Sequence, residues 1–120
     1  VIVAFERMEA IRWLPFLKDG GKMVVNDFKI NPVPVNLGQA EYPEGIIEEL
    51  ETKASVLSVK AGEIAADLGN PKAMNVVLLG ALVKAIGGLD DLDWEAIVKA
   101  NVKPQFADLN VAAFNAGYAL

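Results

Sequence analysis

A chain of 120 residues with 11 basic and 16 acidic side chains carries a formal net charge of −5 and reads as one acidic domain. No basic cluster is present to neutralise phosphates, which speaks against a nucleic-acid partner. Zero cysteine removes disulfides, thiolate nucleophiles and iron–sulfur ligation by this chain, and zero histidine removes the usual zinc sites and histidine-based triads.

The apolar fraction is 53% and the mean hydropathy is +0.33, yet no apolar run is long enough to span a bilayer. Such an excess means a well-filled α/β core or a face covered by another chain, and the two readings have equal claim. With no signal-peptide pattern, a cytoplasmic location is the expectation.

The first stretch, Val1-Ile-Val-Ala-Phe5, reads as a buried strand and begins without Met, so a fragment of a longer protein is expected. Glu6–Leu17 follows as a helix with Met8, Ile11 and Leu14 on one face and Glu6 and Glu9 near its positive end. Pro15 must kink or shorten the last turn. Gly20-Gly21 ends the unit, and Lys22–Asn26 returns as a strand. Strand, helix and strand in this span make a compact βαβ unit with parallel strands. The proline-rich stretch Lys29–Tyr42 excludes helix and favours extended backbone, with a short edge strand at Val33–Leu37. Pro43–Lys53 is a helix with Ile46, Ile47 and Leu50 inward and an outward acidic face, which is a solvated surface and not a metal site. Ser55–Lys60 is a strand and Ala61–Leu68 a short helix.

The strongest pattern comes next. Asn70 is placed as an N-cap, Pro71 sits in the first helical position, and Gly87-Gly88 closes the C-terminus. Between them Met74, Val77, Leu78, Ala81, Leu82, Ala85 and Ile86 follow helical spacing, while Val76, Leu79, Gly80 and Val83 make the opposite side apolar too. A helix apolar all round is buried on more than one side. Asp93 then caps Trp94–Asn101, and Ala107–Leu120 is the final helix. The predicted fold is α/β: a small, mostly parallel sheet with helices on both faces, in one domain with a helical C-terminal half.

Signals for chemistry are few. No dinucleotide or phosphate loop and no nucleophile elbow occurs. Asp90 and Asp91 read as solvated turn residues. Glu6 and Asn26 end two strands of one sheet, where ligands gather in open parallel sheets, and capping or loop bonding is the plainer role for both. Asn70 and Asn75 stand at the start of the apolar helix, where free backbone N–H groups favour anions. A buried Asn75 amide needs specific partners. A structural bond to a strand-end loop is preferred over contact with a ligand or another subunit. Trp13 and Trp94 read as packing residues, with an interface role as the alternative.

The segments Val1–Arg12, Leu14–Gly21 and Val24–Asn26 resemble the gamma subunit or domain of 2-oxoacid:ferredoxin oxidoreductases. Gly69-Asn-Pro-Lys-Ala-Met-Asn-Val-Val-Leu-Leu-Gly-Ala-Leu82 and Asn110-Val-Ala-Ala-Phe-Asn-Ala-Gly-Tyr118 resemble it as well. Val33-Pro-Val35 with Tyr42-Pro43 is most similar to the beta subunit of the indolepyruvate type. The resemblance implies a subunit of a thiamine-diphosphate enzyme that oxidatively decarboxylates a 2-oxoacid to an acyl-CoA. Electrons would leave through iron–sulfur clusters to ferredoxin. It implies that thiamine diphosphate, magnesium and the clusters belong to the catalytic partner subunit and that this chain holds none of them. It also places the chain beside the approach of CoA or substrate. One departure is plain. The family domain begins with a Gly-rich strand–loop–helix segment that has no counterpart here. The chain is therefore the C-terminal part of a longer gamma-type domain or a divergent relative. Two other readings stay open: a non-catalytic assembly domain of such a complex, and a stand-alone small-molecule-binding module.

Overall fold

A computed structural model describes residues Val1–Leu120. Three strands, β1 (Ile2–Ala4), β2 (Lys22–Asn26) and β3 (Ser55–Val59), pair in parallel in the order β1-β2-β3, with Val24 opposite Val3 and Leu57. Alternation along β2 sends side chains to two separate cores. Met23 and Val25 join Ala4, Ala10, Ile46 and Leu50 on one face, beneath α1 (Arg7–Trp13) and α3 (Ile46–Glu51). Val24 joins Val59, Ala61, Ala65, Val77 and Leu78 on the other, beneath α4 (Ala61–Asp67) and α5 (Met74–Ile86). A mostly parallel sheet with both faces covered is the arrangement that the alternation of strands and helices predicts.

The helical second half builds outward from α5. Between β2 and α3 lies a one-turn helix, α2 (Val33–Asn36), and after α5 come α6 (Trp94–Ala100) and α7 (Ala107–Tyr118). α7 crosses α5 at very short range because glycines face each other's backbone. A Cβ added at Gly80 would collide with the Phe114 carbonyl oxygen and sit 2.8 Å from the Tyr118 nitrogen. One added at Gly117 would collide with the Val77 carbonyl oxygen and sit 3.0 Å from the Ala81 nitrogen. Trp94 of α6 stacks on Phe114 at 5.3 Å and donates its indole N–H to the Leu89 carbonyl at 2.9 Å, which makes it a packing residue. Trp13 is half exposed and pairs only with Phe16.

The helix starts follow their caps. Asp93 accepts from the Ala96 N–H at 3.0 Å, and Asn70 from the Lys72 N–H at 3.0 Å. Pro71–Ala73 forms a 3₁₀ turn before α5, and Pro15 turns the end of the first helix into a 3₁₀ turn at Leu14–Phe16. The third helix begins at Ile46, three residues later than the sequence predicts, because Gly45 before it is left-handed (φ 71°).

One expectation is corrected. Val33–Leu37 is not an edge strand. Pro32 and Pro34 occupy the N-cap and the first turn, where a missing N–H breaks no helical bond, so the segment forms α2 with Leu37 N–H donating to the Val33 carbonyl at 3.0 Å. The long helix is covered on more than one side, as expected, by the sheet and by α7. Leu78 is fully buried, but Asn75, Leu79 and Ile86 are exposed along one stripe beside the β1 edge.

Candidate functional site

The carboxyl ends of the three strands converge on one polar cluster, built around two buried side chains. Asn26 closes β2 and is 1% exposed. Its Nδ2 donates to the Phe5 carbonyl at 3.2 Å, and its Oδ1 accepts from the Ala61 N–H at 3.2 Å. One amide thus ties the end of β1 to the start of α4, across the sheet. Glu6 follows β1 and is 6% exposed. Its Oε2 caps α1 by accepting from the Glu9 N–H at 3.1 Å. Its Oε1 accepts from the Ile30 N–H at 3.2 Å and from the Tyr42 hydroxyl. No buried side-chain nitrogen or oxygen is left without a partner.

Around this pair stand the residues that follow each strand. Arg7 Nε donates to Asp27 Oδ1 at 2.6 Å, and the Arg7 backbone N–H donates to the Phe28 carbonyl at 3.1 Å. Lys29 places its ammonium 4.9 Å from the centre of the Tyr42 ring. Burial, the hydrogen bond to Glu6 and the charge of Glu6 together push the Tyr42 hydroxyl up from 10.0 to about 12. Tyr42 therefore stays a hydrogen-bond donor throughout the neutral range. A crevice of about 440 Å³ opens here, lined by Arg7, Asp27, Lys29, Tyr42, Glu48 and Ser58. Its position outside the strand ends is where open parallel sheets place their ligands. Its charges are mixed, and the arrangement can hold a polar group without offering a nucleophile or a metal cage. No three acidic side chains are grouped to hold a metal ion.

Of the four candidate residues, Glu6 and Asn26 meet at this cluster, both engaged in internal bonds. Asn70 stands apart as the cap described above, beside a shallow cleft with Phe106 and Asn110. Asn75 is not a buried amide. It is exposed, its Oδ1 accepts only from the adjacent Val76 N–H at 3.0 Å, and it borders an open apolar cleft with Val3, Phe5, Leu79 and Leu82. The expected bond to a strand-end loop is absent, because the stripe carrying Asn75 lies outside the cover of α7 and the sheet. The sequence reading missed Arg7, Asp27, Lys29 and Tyr42. A signal was present: Arg7 and Asp27 each stand beside a strand-end residue already singled out.

A parallel α/β domain of this kind, with a helical second half and a strand-end crevice, defines a class that comparison makes specific. The chain belongs to the pyruvate ferredoxin/flavodoxin oxidoreductase family, whose family model matches residues 1–120. It is 37% identical to indolepyruvate oxidoreductase subunit IorB of Pyrococcus horikoshii, over 98% of this chain and 60% of that protein. The corresponding subunit of Archaeoglobus fulgidus is 36% identical, over 98% of this chain and 61% of its own length. The fold matches the crystal structure of a keto/oxoacid ferredoxin oxidoreductase gamma subunit from Geobacter sulfurreducens. That match has a TM-score of 0.70 and 23% identity, over 98% of this chain and 60% of that one. The chain spans about three fifths of the length of the curated relatives it matches. The resemblance read from Val1–Arg12, the Gly69–Leu82 helix and Asn110–Tyr118 is upheld at the level of the family.

Proposed function

We propose that this chain works as gamma-type polypeptide in a 2-oxoacid:ferredoxin oxidoreductase complex of the indolepyruvate type, in the cytoplasm. In that reading a catalytic partner subunit decarboxylates an arylpyruvate to an acyl-CoA and passes electrons to ferredoxin. The observation that carries it is the similarity to subunits named for indolepyruvate oxidoreductase along nearly the whole chain.

The residues present here do not fit the cofactors of such an enzyme. A chain without cysteine cannot hold an iron–sulfur cluster, and no grouped carboxylates or diphosphate loop answers magnesium and thiamine diphosphate. Those groups belong, in this reading, to the partner subunit. What its own residues supply is a rigid strand-end surface: Asn26 and Glu6 spend their hydrogen bonds on fixing backbone. That internal satisfaction favours an assembly and positioning role within the complex.

The test is reconstitution. The catalytic subunit of a related indolepyruvate oxidoreductase, loaded with its cofactors, is assayed for indolepyruvate- and CoA-dependent viologen reduction with and without this chain. Turnover that rises on adding the chain supports the reading, and the chain alone is expected to reduce no dye. Dye reduction by the isolated chain, or no association with the catalytic subunit, rejects it.

A further inference from the structure

The link between the first helix and β2 holds the chain's single Asp-Gly pair, Asp19-Gly20, and no asparagine of the chain precedes a glycine. An aspartyl side chain can be attacked at its carboxyl carbon by the next backbone nitrogen, which closes a five-membered ring. Glycine as the next residue favours this closure, because it has no Cβ to obstruct the approach and leaves its peptide free to turn. In a folded chain the local structure decides whether the ring can form. A helix, a strand or a bonded loop holds the nitrogen away from the carboxyl group.

At Asp19 the fold leaves the nitrogen free. The Gly21 N–H donates to the Lys18 carbonyl at 2.9 Å, so residues 18–21 form a tight turn with Gly20 left-handed (φ 72°). That bond spans the Asp19–Gly20 peptide without using it: neither the Gly20 N–H nor the Asp19 carbonyl has a backbone partner. The Asp19 carboxylate joins no ion pair. Both residues are exposed, and a Cβ built at Gly20 would meet nothing within 4 Å. The flanks are held, since the Leu17 N–H donates to the Leu14 carbonyl at 3.0 Å and a Cβ at Gly21 would collide with the Leu17 side chain. Rotating the one unbonded peptide therefore breaks no hydrogen bond of the fold. Other aspartates lack this freedom. After Asp27, Asp67, Asp91 and Asp93 the next N–H is spent: Phe28 donates to Asn26 (2.7 Å), Leu68 to Ile64 (3.2 Å), Leu92 to Leu89 (3.4 Å) and Trp94 to Leu92 (3.0 Å).

We infer that Asp19 is a modification site, at which the folded chain converts itself to isoaspartate. The Gly20 nitrogen bonds to Asp19 Cγ, and its proton leaves with a carboxyl oxygen as water, giving a succinimide. Water then adds back at either ring carbonyl. Addition at Cγ breaks the new bond and restores Asp19. Addition at the original backbone carbonyl breaks its bond to the Gly20 nitrogen instead, so the chain runs on through Cβ and Cγ and the α-carboxylate is set free. The product lengthens by one backbone atom the link into β2, the central strand, three residues before Lys22 donates to the Ala85 carbonyl at 3.2 Å. It also presents an isoaspartyl carboxylate, the substrate class of methyltransferases that use S-adenosylmethionine. This is chemistry of the chain itself and does not rest on the proposed function.

The experiment ages the purified chain at neutral pH, folded and in guanidinium chloride. Isoaspartate is counted by methyl transfer from labelled S-adenosylmethionine with an isoaspartyl methyltransferase. It is located with Asp-N protease, which cuts the denatured chain before Asp but not before isoaspartate. Label at position 19 should build up in the folded chain within about tenfold of the rate in the unfolded one, because opening this turn costs little. Cutting before the other aspartates should stay complete. Asp19→Asn should speed the labelling, since a side-chain amide loses ammonia more readily than a carboxylate loses water. Asp19→Glu, which keeps the charge and the turn but would need a six-membered ring, should abolish it. A folded chain that gains no label at position 19 overturns the inference, whatever the unfolded chain does. Label that survives Asp19→Glu, or that is spread evenly over Asp27, Asp67 and Asp93, overturns it too.

Discussion

The Tyr42 hydroxyl donates to the Glu6 carboxylate across 36 positions of sequence, and through that bond one buried side chain holds both ends of the arm that runs from Ile30 to Tyr42.

Removing the hydroxyl should loosen the arm without unfolding the domain. Tyr42→Phe keeps the ring beside Lys29 and leaves Glu6 its bonds to Ile30 and Glu9. A stability loss of about 0.5–1.5 kcal/mol is expected, as for one hydrogen bond. Urea denaturation gives the loss, and hydrogen exchange should show faster exchange at the amides of Gln39 and Ala40 than in wild type. Unchanged exchange there would mean that the arm holds itself without the clamp.

Tyr42 also sets a pH response. Its neutral form is favoured in the folded chain, from 10.0 up to about 12, by burial, the bond to Glu6 and the charge of Glu6. A raised folded value means that this contribution to stability is fully present below pH 10 and is lost as pH climbs from 10 toward 12. The chain has two tyrosines, so phenolate absorbance should show one group ionising near pH 12, and Tyr42→Phe should abolish that step. Two ordinary titrations near pH 10 would contradict the clamp.

The crossing of α5 and α7 predicts opposite outcomes for one kind of substitution. Gly80→Ala and Gly117→Ala each drive a methyl into backbone of the facing helix and should cost about 3 kcal/mol or more, at the upper end of overpacking. Gly62→Ala, in α4 with nothing within 4 Å of the new methyl, should instead stabilise by roughly 0.4–1 kcal/mol. Thermal melts of the three variants decide it. Similar effects at all three positions would remove the close crossing.

Exposure divides α5 in the same way. Leu78→Ala, at a fully buried site, should cost about 2–5 kcal/mol. Asn75→Leu, at an exposed site bonded only to its neighbour, should change stability by no more than about 0.5 kcal/mol. A large loss at Asn75 would restore the buried-amide reading that the structure sets aside.

Much of this architecture was legible in the residues. The apolar run Met23–Val25 after Gly20-Gly21 and the caps at Asn70 and Asp93 are local facts, and they placed the strands and helices within a few positions. What failed was what local pattern does not contain. An all-apolar helix says that several sides are covered, but not which. Gly80 puts α7 against one side of α5, and the stripe of Asn75, Leu79 and Ile86 stays open. Proline density at Val33–Leu37 was read as extended chain, although prolines confined to a first turn leave a single helical turn intact. The strand-end cluster needed the strand order. Glu6 and Asn26 were found from their position, while Tyr42 joins them only through the return of a loop that sequence spacing does not describe.

The glycine crossing has a consequence for substitution in pairs. Where two side chains touch, bulk added at one can be offset by bulk removed at the other, and such positions can change together. Gly80 and Gly117 allow no such exchange, because each faces main-chain atoms that no replacement deletes. Neither position has a second-site suppressor short of parting the two helices. A variant library built on this chain can therefore leave both positions unrandomised and lose no viable member.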